Sequence, residues 1–287
     1  MVFILVEILI TIILNKLNFC YYIKMNRILI IGSSGFIGSC LVEKINATNN
    51  DKLMLLLHKN FKFADFEDFN VVTSSLTNVN LEHFKRFKPD VIFHLGRLKG
   101  SGVFGRLMAA YKGKNANNRM LKYLSKNSLN PRLFYFSGTL VYGNKSSEKA
   151  DEKSIINPTS FSREYHLAEA PWFEESHKPD ANISMLRLPW VVGKGSWFYH
   201  HYIQFALEHG FVPLYSNGEN WMSLIDVHDC CSLALHISRQ SKFFKIVNLY
   251  NPNLIVKQIE FVEVISEVLN VPIKKVSLRN KILRDNA

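Results

Sequence analysis

The stretch that most constrains this chain runs from Arg27 to Gly38. The apolar run Ile28 to Ile31 passes directly into Gly32-Ser33-Ser34-Gly35-Phe36-Ile37-Gly38 and then into helix-compatible residues. That order reads as strand, tight turn, helix. Gly32 suits a residue that leaves the strand with positive φ, and Gly35 lets backbone reach a pyrophosphate with no Cβ in the way. Gly38 permits close packing of helix on strand. Free N–H groups and the dipole at the start of such a helix hold phosphates. Two readings follow: a dinucleotide site formed by Gly32, Ser34, Gly35, Phe36, Ile37 and Gly38, or a bare structural turn. The strand before and the helix after favour the first.

Downstream, apolar strands alternate with helices. Phe36 to Ile45 reads as a helix, Leu53 to Leu57 as a fully buried strand, and Asn70 to Thr73 as a short strand. Leu81 to Phe87 is helical, Asp90 to Leu95 a strand, Met108 to Leu124 a long helix, and Arg132 to Phe136 a strand. The pattern predicts an α/β, doubly wound parallel sheet of the Rossmann type with order 3-2-1-4-5 and right-handed crossovers. Thr159 or Ser160 caps a further helix that carries Phe161, Tyr165 and Ala168 on one face and that Pro171 ends or kinks. Ile183 to Leu188 is a sixth strand, followed by a loop from Pro189 to Trp197 and a helix from Tyr199 to Glu208. A helix through Ile237, a strand from Lys245 to Leu249 and an amphipathic helix from Ile259 to Leu269 complete the chain. The expected organisation is an apolar extension over residues 1–24, an NAD(P)-binding Rossmann domain over 25–182, and the last sheet strand with a small C-terminal substrate lobe over 183–287.

Composition narrows the function classes. A chain of 287 residues with 47% hydrophobic content supports one large α/β body with a small lobe. The net charge of +11 is spread along the chain without a basic run, which favours phosphorylated small molecules over nucleic acid as partners. Cys20, Cys40, Cys230 and Cys231 have neither metal nor disulfide-framework spacing, so a reducing, cytoplasmic compartment is expected. The histidines, His200-His201 included, show no ligand spacing, and no metal is expected. Met1 to Leu14 is apolar apart from Glu7, but Asn15, Lys16 and Asn18 break the run short of the roughly 20 residues that a spanning helix needs. Three readings of residues 1–24 stand: an extension with no folding role, a membrane anchor, or a packing helix.

The carboxyl edge of the predicted sheet collects the remaining candidates. About 20 residues past the glycines, where an acid would bind the ribose 2′-hydroxyl of NAD, the chain has His58 and Lys59. A basic pair there favours the 2′-phosphate of NADP; Lys59 as an ordinary loop residue is the other reading. Leu95, Gly96 and Arg97 follow the fourth strand at the edge where ligands gather.

Five landmarks fall in order: RILIIGSSGFIGS, DVIFHLG, FYFSGTLVYG, LRLPWVVG and SLIDVHDCC. Together they resemble the NAD-dependent epimerase/dehydratase family, the extended short-chain dehydrogenase/reductases that act mostly on nucleotide sugars, over about residues 25 to 270. The resemblance implies an NAD(P)-dependent oxidoreductase acting on a hydroxyl-bearing, sugar-like molecule. It also implies homodimers through the helices near Met108–Leu124 and Ser160–Ala170. The residue four before the VYG tyrosine, a Ser or Thr in the family, is Gly138 here, with Ser137 and Thr139 on either side. The family pairs Tyr-x-x-x-Lys so that the lysine lowers the tyrosine pKa and binds the nicotinamide ribose. Aligned without a gap, Phe161 takes the tyrosine position, Tyr165 the lysine position and Glu169 the usual glutamate; a shift by one gives Ser162 and His166. Trp190 stands where the family often has a substrate-contacting Asn, and Met222 where an Arg often pairs with the nucleotide diphosphate. Tyr165 therefore reads either as a cofactor-binding and proton-donating group, with Ser137, Thr139 and Tyr142 as further hydrogen-bonding candidates, or as a half-buried structural tyrosine. The second functional class is a catalytically degenerate dinucleotide-binding sensor or assembly protein.

Overall fold

The computed structural model describes residues 26–47, 51–58, 69–145, 148–159 and 162–276. The expectations for residues 1–24, Lys59 and Phe161 lie outside these residues. The apolar run forms strand β1 (Arg27–Ile31), flanked in parallel by β2 (Lys52–Leu57) and β4 (Val91–His94). Beyond β2 lies β3 (Asn70–Thr73); beyond β4 lie β5 (Arg132–Gly138), β6 (Ile183–Leu188) and β10 (Ile246–Asn248). All the pairings are parallel, so the expected 3-2-1-4-5 order is present and is extended by two strands on one side.

Alternation along the strands divides the core. Ile28 and Ile30 of β1 and Leu53, Leu55 and Leu57 of β2 face one cluster; Leu29, Ile31, Met54 and Leu56 face the other. The first cluster is covered by α1 (Phe36–Asn46) and α6 (Val227–Arg239), which contribute Leu41, Ile45, Cys231 and Ala234. The second is covered by α2 (Glu82–Phe87), α3 (Gly102–Lys126) and α4 (Ser162–Ser176), with Phe84, Met120 and Trp172 inside. Burial on both faces is why the central strands are continuously apolar.

The rest forms a lobe. Here β7 (Trp190–Val192) pairs with β9 (Trp221–Asp226), which also pairs with β11 (Ile255–Lys257); β8 (Val212–Tyr215) pairs with β12 (Ile273–Val276). Short helix α5 (Phe205–His209) and α7 (Gln258–Leu269) close over Tyr202, Leu214 and Val262. Between these lobe segments, α6 and β10 return to the main body.

Four local expectations change. The long helix begins at Gly102 rather than Met108, because its first turns carry exposed apolar residues and lack a buried stripe to mark them. Pro171 does not end α4, which runs on through it to Ser176. The lost backbone hydrogen bond is offset by the adjacent Trp172, fully buried beside Leu133 and Met185. The segment after Pro189 is strand β7 rather than loop, since β9 offers it a ladder. Tyr199 to Glu208 divides into a π-helical turn, Tyr199–Gln204, and α5. Among the described residues no helix is long and apolar enough to cross a membrane.

A close backbone approach joins α1 to the turn that follows β1. A Cβ at Gly38 would stand 2.2 Å from Gly32 O and 2.9 Å from Ser33 Cα, whereas one at Gly35 would meet only Gly32 O at 3.2 Å. Gly38→Ala is therefore expected to cost about 1–3 kcal/mol in urea unfolding, and Gly35→Ala under about 1 kcal/mol. Equal midpoints for the two variants would show that α1 can shift away from the strand.

Candidate functional site

Gly32 leaves β1 at φ +86° and its N–H stays on Leu56 O at 3.0 Å, while Gly35 N donates to Gly32 O at 3.0 Å. Ser33 is buried, its hydroxyl on Leu56 O, and Ser34, Phe36 and Ile37 are half-buried around the turn. Gly35 is the exposed N-cap of α1, no side chain caps that end, and its first turn holds no acid. Those first N–H groups therefore lack a side-chain partner, and a Cβ at Gly35 would meet Gly32 O alone, at 3.2 Å, so that side of the turn is otherwise clear. A pyrophosphate fits both features. His58, exposed, directly follows the neighbouring β2.

Beside the turn, Leu95 N continues the ladder to Ile31 O at 2.8 Å, and Gly96 lies against Gly32. Arg97 comes next, and its guanidinium carbon lies 3.7 Å from the centroid of the Tyr165 ring on α4. The preceding residue of α4, Glu164, accepts from Arg106 Nε of α3 at 2.9 Å.

Deeper under α4 lies a buried polar network. Ser137 and Arg187 are register partners on β5 and β6, and alternation turns both toward α4, in line with Tyr135 and Met185. The Ser137 hydroxyl donates to Glu169, and Arg187 Nη1 donates to Ser137 Oγ and to Glu169 Oε1, each at 2.5 Å. His166 Nδ1 stands 3.3 Å from the same carboxylate oxygen. Arg187 is 0% and Glu169 1% exposed, so removing either partner alone would strand a buried charge at a cost of about 3–5 kcal/mol. Ser137 is thus engaged by two partners within the network, whereas Thr139, half-buried, opens the 3₁₀ turn Thr139–Tyr142 at the sheet edge. Tyr142 OH donates to Asn248 Oδ1 at 2.8 Å.

Sequence reasoning missed a second buried pair. His94, at the end of β4, is completely buried, with Nε2 3.0 Å from Asn117 Oδ1, and Asn117 Nδ2 donates to Ala168 O at 2.8 Å. Because the Asn117 amide nitrogen is spent on Ala168, its oxygen must accept from His94, which puts the imidazole proton on Nε2. Burial holds the His94 pKa down to about 4. The available signal was strand alternation: His94, Ser137 and Arg187 are polar residues at inward positions of otherwise apolar strands.

In the lobe, Trp190 packs on Trp197 at 4.8 Å, and Trp197 stacks on His201 at 3.8 Å. Met222 is buried in β9. Among the described residues no three His, Cys, Asp or Glu side chains converge as a metal site requires.

Residues 28–251 match the model of the NAD dependent epimerase/dehydratase family. The chain belongs to that family. A curated relative, the ADP-L-glycero-D-manno-heptose-6-epimerase of Brachyspira hyodysenteriae, is 32% identical over 158 residues, 49% of this chain and 46% of its own length. The match thus spans about half of that relative. The fold is shared with a dTDP-glucose 4,6-dehydratase from Bacillus anthracis solved with NAD, at TM-score 0.74 and 20% identity over 89% of this chain and 86% of that one. It is shared equally with a UDP-N-acetylglucosamine 4-epimerase from Methanobrevibacter ruminantium solved with UDP-N-acetylmuramic acid, at TM-score 0.75 and 19% identity over 89% and 86%. The glycine turn lies within the matched stretch.

The His94 pair gives a pH dependence with a definite sign. Its folded pKa, about 4, lies below the ordinary 6.5, so the unfolded chain takes up the proton first as pH falls. Stability from this group is full above about pH 6.5 and is lost progressively toward pH 4, by up to about 3 kcal/mol. Urea unfolding across that window should show the slope in wild type and a flatter profile in His94→Asn. Parallel profiles would place the titration elsewhere.

Proposed function

We propose that this chain is an NAD(P)-dependent oxidoreductase of the epimerase/dehydratase type, acting on a hydroxyl-bearing, sugar-like small molecule in a cytoplasmic setting. The observation that carries the reading is the uncapped start of α1 at Gly35, in a turn that also packs against the loop whose Arg97 lies over Tyr165. The bound dinucleotide supplies hydride transfer. The chain's own residues would receive the pyrophosphate on the glycine turn, hold the substrate hydroxyl at Thr139 and Tyr165, and keep α4 in place through Ser137, Glu169 and Arg187. The heptose epimerase relative and the nucleotide-sugar enzymes of like fold support this substrate class. A buried Met222 in place of an arginine weighs against a diphosphate held in the usual way.

His58 at the end of β2, followed by Lys59, favours NADP(H), by about 1 kcal/mol at low salt. A second reading, a dinucleotide-binding sensor or assembly protein without turnover, is favoured by Tyr165 at the lysine position. Calorimetry is expected to show NADPH binding more tightly than NADH, and neither binding to Gly35→Val. With cofactor bound, hydride transfer to nucleotide sugars should be weak in wild type and lost in Tyr165→Phe. Tight binding with no turnover in any protein would select the sensor.

The reading includes a homodimer. Val103, Phe104, Leu107, Met108 and Tyr111 form an exposed apolar stripe on the first half of α3, with Val103 72% and Phe104 76% exposed. Sedimentation should give the mass of two chains for wild type and of one for Phe104→Glu. A monomeric wild type would remove the stripe from that role.

A further inference from the structure

Arg97 is an exposed side chain on a loop whose ends are both pinned. Before it, Gly96 is pressed against the glycine turn: a Cβ on Gly32 would stand 2.8 Å from Gly96 N, and one on Gly96 would stand 2.9 Å from Ile31 Cγ2. After it, Gly100 packs on the start of α3 so closely that a Cβ would lie 2.0 Å from Gly105 O. The platform beneath is held as well, since Glu164 beside Tyr165 is bonded to Arg106 of α3. The 3.7 Å separation of guanidinium and ring therefore joins two anchored elements.

The chemistry of the stack matters. A guanidinium stacks through its face, while its five N–H donors lie in its plane. Resting on Tyr165 thus keeps the charge in place and leaves those donors available for a ligand's oxygens. In the alignment without a gap, the cation also sits over the α4 residue that takes the place of the family lysine, and Tyr165 cannot supply that charge itself.

We propose that Arg97 provides, from the loop after β4, the positive charge that the family takes from the helix lysine, with the Tyr165 ring as its platform, and that its N–H groups bind the hydroxyls of the nicotinamide-side ribose. This rests on the reading that the chain binds NAD(P). The pyrophosphate is taken by the glycine turn, so the ribose is the part of the dinucleotide left for this edge.

The test titrates NADH and ADP into the full-length wild type, Arg97→Ala, and the double variant Arg97→Ala with Tyr165→Lys. ADP carries a diphosphate but lacks the second ribose. Arg97→Ala should weaken NADH about tenfold or more, as for loss of charged hydrogen bonds, and change ADP by less than about twofold. The double variant should return NADH to within about threefold of wild type, because a lysine restores the cation from the helix. Unchanged NADH affinity in Arg97→Ala, an equal loss for ADP, or failure of the lysine to rescue would each overturn the assignment. A wild type that binds neither NADH nor ADP would overturn the dinucleotide reading itself.

Discussion

The architecture hangs on a backbone-to-backbone contact at the glycine turn. Where Gly38 approaches Gly32 there is no room for a side-chain carbon, and the same Gly32 receives Gly96 from the loop after β4. One residue therefore sets the distance of α1 from β1 and the point from which the next loop departs. The uncapped start of α1 and the loop that carries Arg97 both depart from this contact. A larger residue at either glycine would move both at once.

Helix α4 is held by a second set of constraints, and these are polar. Arg187 bonds to Glu169, Asn117 to Ala168 O, and Arg106 to Glu164, which ties the helix to the sheet, to the middle of α3 and to its first turns. Buried charges cost desolvation, and the Arg187–Glu169 pair is worth less to stability than its distance implies. Such bonds specify rotation and register about the helix axis, which apolar packing leaves loose. With Pro171 removing one bond from its middle, α4 relies on these anchors and on Trp172. The Tyr165 ring is presented to Arg97 by that fixed rotation.

The lobe follows a different physical logic. Its small sheets meet over an apolar cluster of Tyr202, Leu214 and Val262, and Met222 adds to the buried surface of β9. What faces outward near β7 is aromatic: Trp197, 46% exposed, between Trp190 and His201.

The amino-acid sequence by itself determined the alternation of strands and helices, the order 3-2-1-4-5 and the glycine turn. Each is a local matter: periodicity of apolar residues, and backbone conformations that only glycine adopts easily. Spacing along one helix is local too, and it offered Tyr165, or His166 one residue on, as the counterpart of the family lysine. The tertiary structure alone decided that Arg97 lies on Tyr165, that Ser137 is bound between Glu169 and Arg187, and that His94 is locked to Asn117. These partners are tens of residues apart in the chain and meet only when parallel strands set their register and α4 settles on them. The two ends of α3 show the same division. Its last turns were legible from a buried stripe, but its first turns, whose apolar side chains face outward, became recognisable as helix only in three dimensions.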